Sequence, residues 1–131
     1  MNIYALSSGR GPSGIAIIRI SGKNSFHVCK KITKIIDPKS NEVNYCKLYD
    51  PKNNNIIDPE ALLLLFPGPN SYTGEDLAEF QIHGSNAVIN SLLKVLSEQD
   101  NFRLAEPGEF TKIAFQNDKI DLLKAENIGD L

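Results

Sequence analysis

PGPNSYTGEDLAEFQIHG, residues 67–84, joins a loop dense in turn-formers and carboxylates to a segment of strict alternation. From Leu77 to Ile82 the period of two places Leu77, Glu79 and Gln81 on one face of a strand and Ala78, Phe80 and Ile82 on the other. Glu79 therefore points away from the Phe80 face. Ser85–Glu98 follows as a helix, because Ile89, Leu92, Leu93 and Leu96 repeat at i, i+3, i+4 and i+7. A half-polar strand leading into an amphipathic helix is the pattern of a sheet with helices packed on it.

Upstream, Ile3–Leu6 and Ile15–Ser21 read as strands, the second aliphatic except for Arg19. Ser7–Gly14, SSGRGPSG, is a loop by its Gly, Pro and Ser content. Asn24 is placed to cap a helix running to about Ile36, which Asp37-Pro38 ends. Val43–Tyr49 and Ile56–Phe66 form a hairpin around DPKNNN. Downstream, Phe102–Leu104 adds an edge strand, Pro107 opens a short helix to Phe115, and Asp118 caps a last helix that continues to Leu131. The fold class expected is α+β, a mixed or antiparallel β-sheet with packed helices.

The chain has 131 residues, enough for one domain with a core and a small appendage. Hydrophobic residues make up 41% and charged residues 23%, the balance of a globular chain. No apolar run approaches the roughly 20 residues of a transmembrane helix, and Met1-Asn2-Ile3 leads straight into a strand with no export signal. A net charge of −2 provides no general attraction to nucleic acid. Cys29 and Cys46 lack metal-site spacing and read as two reduced thiols of a cytoplasmic protein.

Nucleotide motifs fail on their physics. Gly9, Gly11 and Gly14 spell GxGxxG, but a strand-like IAIIRI follows where a helix N-terminus must face a pyrophosphate. Gly22-Lys23 has Ile17 in place of the first glycine of a phosphate loop and Asn24 in place of the hydroxyl. Asn117–Asp121 carries the letters of a guanine-reading motif in the wrong order. The chain by itself is not expected to bind GTP.

Three charges stand where an apolar or neutral residue would be cheaper: Arg19 and Glu79 on strands, and Lys119 in a carboxylate-rich turn. Each has a plain structural reading: an ion pair of Arg19 with Glu79 or Asp76, a backbone cap for Glu79, a solvated surface lysine. Each also has a binding reading. A carboxylate matches two parallel N–H donors on a pterin or guanine edge, and Arg and Lys complement an anionic tail or a formyl oxygen. His83 stands as either a base or a hydrogen-bonded strand-end residue.

Three blocks in order, GRGPSGIAIIRISG, FPGPNSYTGEDLAEFQIHG and RLAEPGEFTKIAFQNDKIDLLKAENIGDL, make the chain resemble the amino-terminal domain of the tRNA-modifying GTPases of the MnmE/TrmE type. Ser7-Ser8, Pro12-Ser13 and Ser85-Asn86 depart from the common family pattern. The resemblance implies a fold like the tetrahydrofolate-binding module of glycine-cleavage T-proteins and a homodimer. It also implies a 5-formyltetrahydrofolate-type cofactor held at Arg19, Glu79 and Lys119. It divides the chain into a folate-binding and dimerisation domain, 1–117, and the start of a truncated helical domain, 118–131. GTP, magnesium and potassium would belong to a GTPase domain outside this sequence. An FAD-dependent MnmG-type partner and tRNA would belong to the whole protein, which modifies the wobble uridine. A stand-alone folate-dependent aminomethyl or methyl transferase, and a dimerisation scaffold without ligand, are the rival readings.

Overall fold

The structure, a computed structural model, describes residues 1–7 and 14–118. Their elements run β1 (Asn2–Leu6), β2 (Ile15–Ser21), α1 (Ser25–Thr33), β3 (Asn44–Tyr49), β4 (Ile56–Phe66), β5 (Leu77–His83), α2 (Asn86–Ser97), β6 (Phe102–Leu104) and α3 (Glu109–Gln116). The strands form one sheet in the order β3-β4-β5-β2-β1-β6. β1 and β6 run parallel and the other neighbours antiparallel. This is the mixed α+β sheet the sequence leads one to expect.

The two faces of the sheet are built differently. On one, Ile18, Ile20, Leu63, Phe80 and Ile82 pack under α1 and α2, whose Cys29, Ile32, Leu92 and Leu96 complete the main core. On the other, α3 covers only one end, where Phe110 packs on Ile3 and Leu77 with Phe66, Tyr72 and Ile113 around it. The ladders place residues on this second face in rows across the strands: Ala5, Arg19, Glu79 and Leu64 in the first row beyond α3. Ile17, Gln81, Leu62 and Tyr45 make the next. Ile15 and His83 are paired beyond that.

Helix ends depart from the sequence reading in instructive ways. α1 stops at Thr33, short of Ile36: the Thr33 hydroxyl donates to the Cys29 carbonyl (2.8 Å) and accepts from Ile35 N–H, and Lys34 turns left-handed (φ 62°). Asn24 makes no side-chain cap. Its N–H instead donates to Asn2 Oδ1 (2.8 Å), so a strand residue closes the helix start. Ser85 does cap α2, accepting from Val88 N–H. Pro107 lies before α3, because Gly108 in the left-handed region (φ 75°) separates them. Arg103 of β6 forms a two-pronged ion pair with Glu109, whose carboxyl it holds below the ordinary value by hydrogen bonding. Asp118 has φ 58° and donates its N–H to the Phe115 carbonyl, closing α3. The helix expected over 119–131, Lys119 included, lies outside the described residues, as does most of the Ser7–Gly14 loop.

The hairpin turn follows its chemistry. Asp50 Oδ1 accepts from Lys52 N–H, Asn53 Oδ1 from Asn55 N–H, and Asn54 takes the left-handed conformation (φ 62°) that asparagine tolerates.

Candidate functional site

Loop 67–76 is denser in polar groups than a connection needs, yet most of them are used internally. Ser71 Oγ donates to the Glu75 carbonyl and accepts from Gly74 N–H. Asp76 Oδ1 accepts from Gly68 N–H (3.0 Å), and Ser21 Oγ donates to the Glu75 carboxylate (2.8 Å). Asn117 at the end of α3 donates to the Thr73 carbonyl (2.8 Å). The loop thus ties β2, β5 and α3 together rather than presenting a row of free groups.

The groups left available lie on the sheet itself. Arg19 and Glu79 are direct partners across β2 and β5, with Arg19 Nε donating to Glu79 Oε1 at 3.1 Å. Their side chains are 27% and 14% exposed, so the pair is partly desolvated but reachable. Of the two acids the sequence offered Arg19, the structure selects Glu79; Asp76 serves Gly68 instead. Gln81, two residues along the same face, donates through Nε2 to Glu79 Oε2 at 3.2 Å. Glu79 is thereby held from both sides, and each carboxylate oxygen keeps lone-pair capacity for a further donor. Among the described residues, the terminal guanidinium nitrogens of Arg19 have no protein partner. The arrangement therefore offers a fork of donors beside an oriented acceptor pair. Lys119 cannot be joined to it, because it lies outside the described residues.

Further along β5 the same face opens into a cavity of ≈ 750 Å³, walled by Ile15, Tyr45, Lys47, Leu62, Gln81 and His83. That is an ordinary size for a small-molecule site. His83 Nδ1 lies 2.8 Å from Asp58 Oδ1, and Asp58 Oδ2 also accepts from His83 N–H (2.9 Å). Both Gln81 and Asp58 escaped the sequence reading. Gln81 was legible as the i+2 neighbour of Glu79 on a strand; Asp58, a carboxylate followed by proline inside an apolar strand, was the other available signal.

Neither cysteine is activated as a nucleophile. Burial, then the neighbouring Asp58, pushes the Cys46 thiol up to about 11, and burial raises Cys29 further. Both cysteines are free thiols, as expected. Among the described residues no group of three His, Cys, Asp or Glu is placed to hold a metal, and no helix is long and apolar enough to cross a membrane.

Comparison with known proteins gives these residues a setting. Residues 2–119 match the family model described as GTP-binding protein TrmE N-terminus. The chain is 55% identical to the tRNA modification GTPase MnmE of Pelagibacter ubique (strain HTCC1062), over 100% of this chain and 29% of that protein. It is 50% identical to the MnmE of Brucella anthropi, over 98% of this chain and 28% of the relative. It is 45% identical to the mitochondrial tRNA modification GTPase gtpbp3 of Dictyostelium discoideum, over 98% and 26%. The chain spans less than a third of the length of these relatives. A family model covering nearly all of the chain and several relatives agreeing along its whole length leave one assignment: the chain belongs to the TrmE amino-terminal domain family, that of the tRNA modification GTPases MnmE.

Proposed function

We propose that this chain is the folate-binding and dimerisation domain of a tRNA modification GTPase, with a 5-formyltetrahydrofolate-type ligand held by Arg19, Glu79 and Lys119. The observation that carries the reading is the hydrogen-bonded Arg19–Glu79–Gln81 cluster on the uncovered part of the sheet, beside a cavity of ligand size. Glu79 accepts the paired N–H donors of the pterin edge, and Arg19 turns its free nitrogens to the carbonyl and formyl oxygens. Lys119, close in sequence after α3, adds positive charge. The likeness to the T-protein folate module and the division into 1–117 and 118–131 belong to the same proposal.

Two copies are proposed to associate as a symmetric dimer. Sedimentation of the purified chain with and without the folate tests this, with a dimer expected. Monomer alone at high micromolar concentration in both conditions overturns it. GTP hydrolysis, the MnmG-type partner and the tRNA wobble uridine are assigned to the longer protein.

A transferase acting alone would need an activated nucleophile, and the raised Cys46 thiol argues against the nearest one. The test of the binding site is calorimetric. Glu79→Gln keeps shape but turns a donor toward the ligand's N–H groups, so 5-formyltetrahydrofolate is expected to bind roughly 10- to 150-fold more weakly, the range for a charged hydrogen bond. Arg19→Ala should fall in the same range while the fold persists. Parent-like affinity in both variants sinks the assignment.

A further inference from the structure

The outer side of α1 carries its basic residues in a line. Lys23, His27, Lys30 and Lys34 follow one another at intervals of four, three and four residues, so helical geometry sets them on one stripe, and all four are exposed. Lys23 precedes the helix and Lys34 ends it, so the stripe runs the full length of α1, about 16 Å at the helical rise per residue. Lys31 lies beside it. The whole chain has 16 acids against 14 Lys and Arg, yet no acid stands anywhere from Ser21 to Ile36. That segregation gives one face a positive potential that the net charge conceals.

Helix stability accounts for half of the pattern. Lys30 and Lys31 stand in the last turn, where the helix dipole favours cations. Lys23 and His27 stand at the opposite end, where it favours acids, and like charges three or four residues apart repel. α2, packed on the same face of the sheet, shows the neutral solution: Asn86, Asn90, Ser91 and Ser97 are exposed on it, and Lys94 is its one base. The charges of α1 are also left uncancelled. Lys34 Nζ is held over the Tyr49 ring, 4.1 Å from its centroid, and Lys31 Nζ donates to the Gln99 amide oxygen (2.8 Å). A ring and an amide fix two ammonium groups without neutralising them. Asp37, just past Lys34, pairs with Lys39, and Glu98, beside Gln99, pairs with Lys52. Among the described residues Lys23 and Lys30 form no ion pair.

We propose that the stripe of α1 from Lys23 to Lys34 is a docking surface for the phosphate backbone of RNA. Ammonium groups meet phosphates as point charges, and the spacing of helix neighbours, about 5–6 Å, is close to that of successive phosphates on one strand. Such contacts position a nucleic acid and read no base. A membrane surface is the poorer match, because Val28, Cys29 and Ile32 of α1 are all turned into the core and leave nothing apolar on the helix to insert. That the polyanion is a tRNA rests on the reading of the chain as part of a tRNA modification GTPase. The stripe itself rests on charge and geometry, on the opposite face of the sheet from Arg19 and Glu79.

Fluorescence anisotropy of a labelled tRNA transcript, titrated with the whole chain, tests this. At low salt a dissociation constant of about 10–100 μM is expected, within the range of sequence-independent binding. Lys23→Gln with Lys30→Gln should weaken binding about 5- to 30-fold, the loss of two exposed ion pairs, and flatten the slope of log affinity against log salt by roughly 1.4–1.8. Lys23→Arg with Lys30→Arg should bind as the parent does. Lys94→Gln with Lys112→Gln removes the same charge from α2 and α3 and should change affinity less than about 2-fold, because remote exposed charges are screened. Equal losses in the two Gln pairs, or no tRNA binding at low salt, overturn the stripe. Lysine-dependent capture of phosphatidylserine vesicles without RNA binding does so too. Calorimetry with 5-formyltetrahydrofolate keeps the two proposals apart. Lysine-dependent tRNA binding without folate affinity supports the stripe and removes the folate site; folate affinity with tRNA binding indifferent to Lys23 and Lys30 does the reverse.

Discussion

Phe110→Ala is expected to destabilise the domain by about 3–5 kcal/mol, the range for removing a buried aromatic ring. α3 has eight residues, too few to be helical without tertiary support. Phe110 is its one fully buried large side chain, 1% exposed, and it sits on Ile3 of β1 and Leu77 of β5. Ile113 only adds to the rim of that cluster, and other ties are polar and partly wet, among them Tyr72 to Thr111 (3.2 Å), Asn117 to the Thr73 carbonyl (2.8 Å) and the Arg103–Glu109 pair. Bonds of that kind contribute on the order of 1 kcal/mol each, so they cannot hold the helix once the ring is gone. Urea unfolding reads the loss. Phe115→Ala, on the exposed side of the same helix, is the control and should cost less than about 1 kcal/mol. If the two variants cost the same, α3 is not anchored through Phe110. Within the proposed function the change has a second effect: Lys119 follows α3, so folate affinity should fall even where the sheet remains folded.

The strands and the long helix were legible because burial leaves a period. Leu77–Ile82 alternates, Ile89–Leu96 repeats at helical spacing, and both patterns survive in the structure to within a residue or two. What was hidden depends on partners distant in the chain. Nothing local in Asn2–Leu6 tells that β1 lies between β2 and β6, since the contact is set by Asn2 N–H donating to the Asn101 carbonyl (2.8 Å). The end of α1 was misplaced for a similar reason, because Lys34 takes a left-handed turn with a residue type that does not announce it.

The site was half legible. Arg19 and Glu79 stood out as charges on apolar or half-apolar strands, but the sequence left Arg19 two acids to choose from. Only the register of β2 against β5 makes them direct neighbours. The loop 67–76 misled in the other direction: its hydroxyls and carboxylates advertise a binding loop, while the structure spends them on Gly68, Gly74, Ser21 and one another. Composition counts polar groups and cannot say which are already satisfied.

Gly22→Ala is expected to cost about 2–6 kcal/mol, though Gly22 is a single glycine after a strand and was set aside with the failed phosphate loop. A β-carbon there would lie 2.3 Å from Asn2 Oδ1 and 2.9 Å from the Asn2 Cα, and the backbone sits at φ +142°. Backbone cannot swing away as the tip of a lysine can. Asn2 is buried and fully engaged: Oδ1 accepts from Asn24 N–H (2.8 Å) and Nδ2 donates to the Asn101 carbonyl (3.2 Å). Displacing it breaks the start of α1 and loosens β6 together. Conformational strain of about 1–3 kcal/mol adds to about 1–3 kcal/mol for buried groups left unpaired. Gly14→Ala separates the two contributions, because Gly14 also has a positive φ (+77°) but among the described residues nothing lies within 4 Å of the added carbon. It should show the strain alone, about 1–2 kcal/mol. Equal losses in the two variants, measured by urea unfolding, would mean that Asn2 yields freely and that the junction of β1, β2 and α1 is held elsewhere. A larger loss at Gly22 places the constraint at the end of the strand that carries Arg19, where the first residue of β1, the last of β2 and the loop before β5 meet. Gly22 N–H donates to the Asp76 carbonyl (3.0 Å), and Ser25 Oγ donates to the carbonyls of both Gly22 and Asp76. With that junction intact, β2 and β5 keep the register that sets Arg19 opposite Glu79.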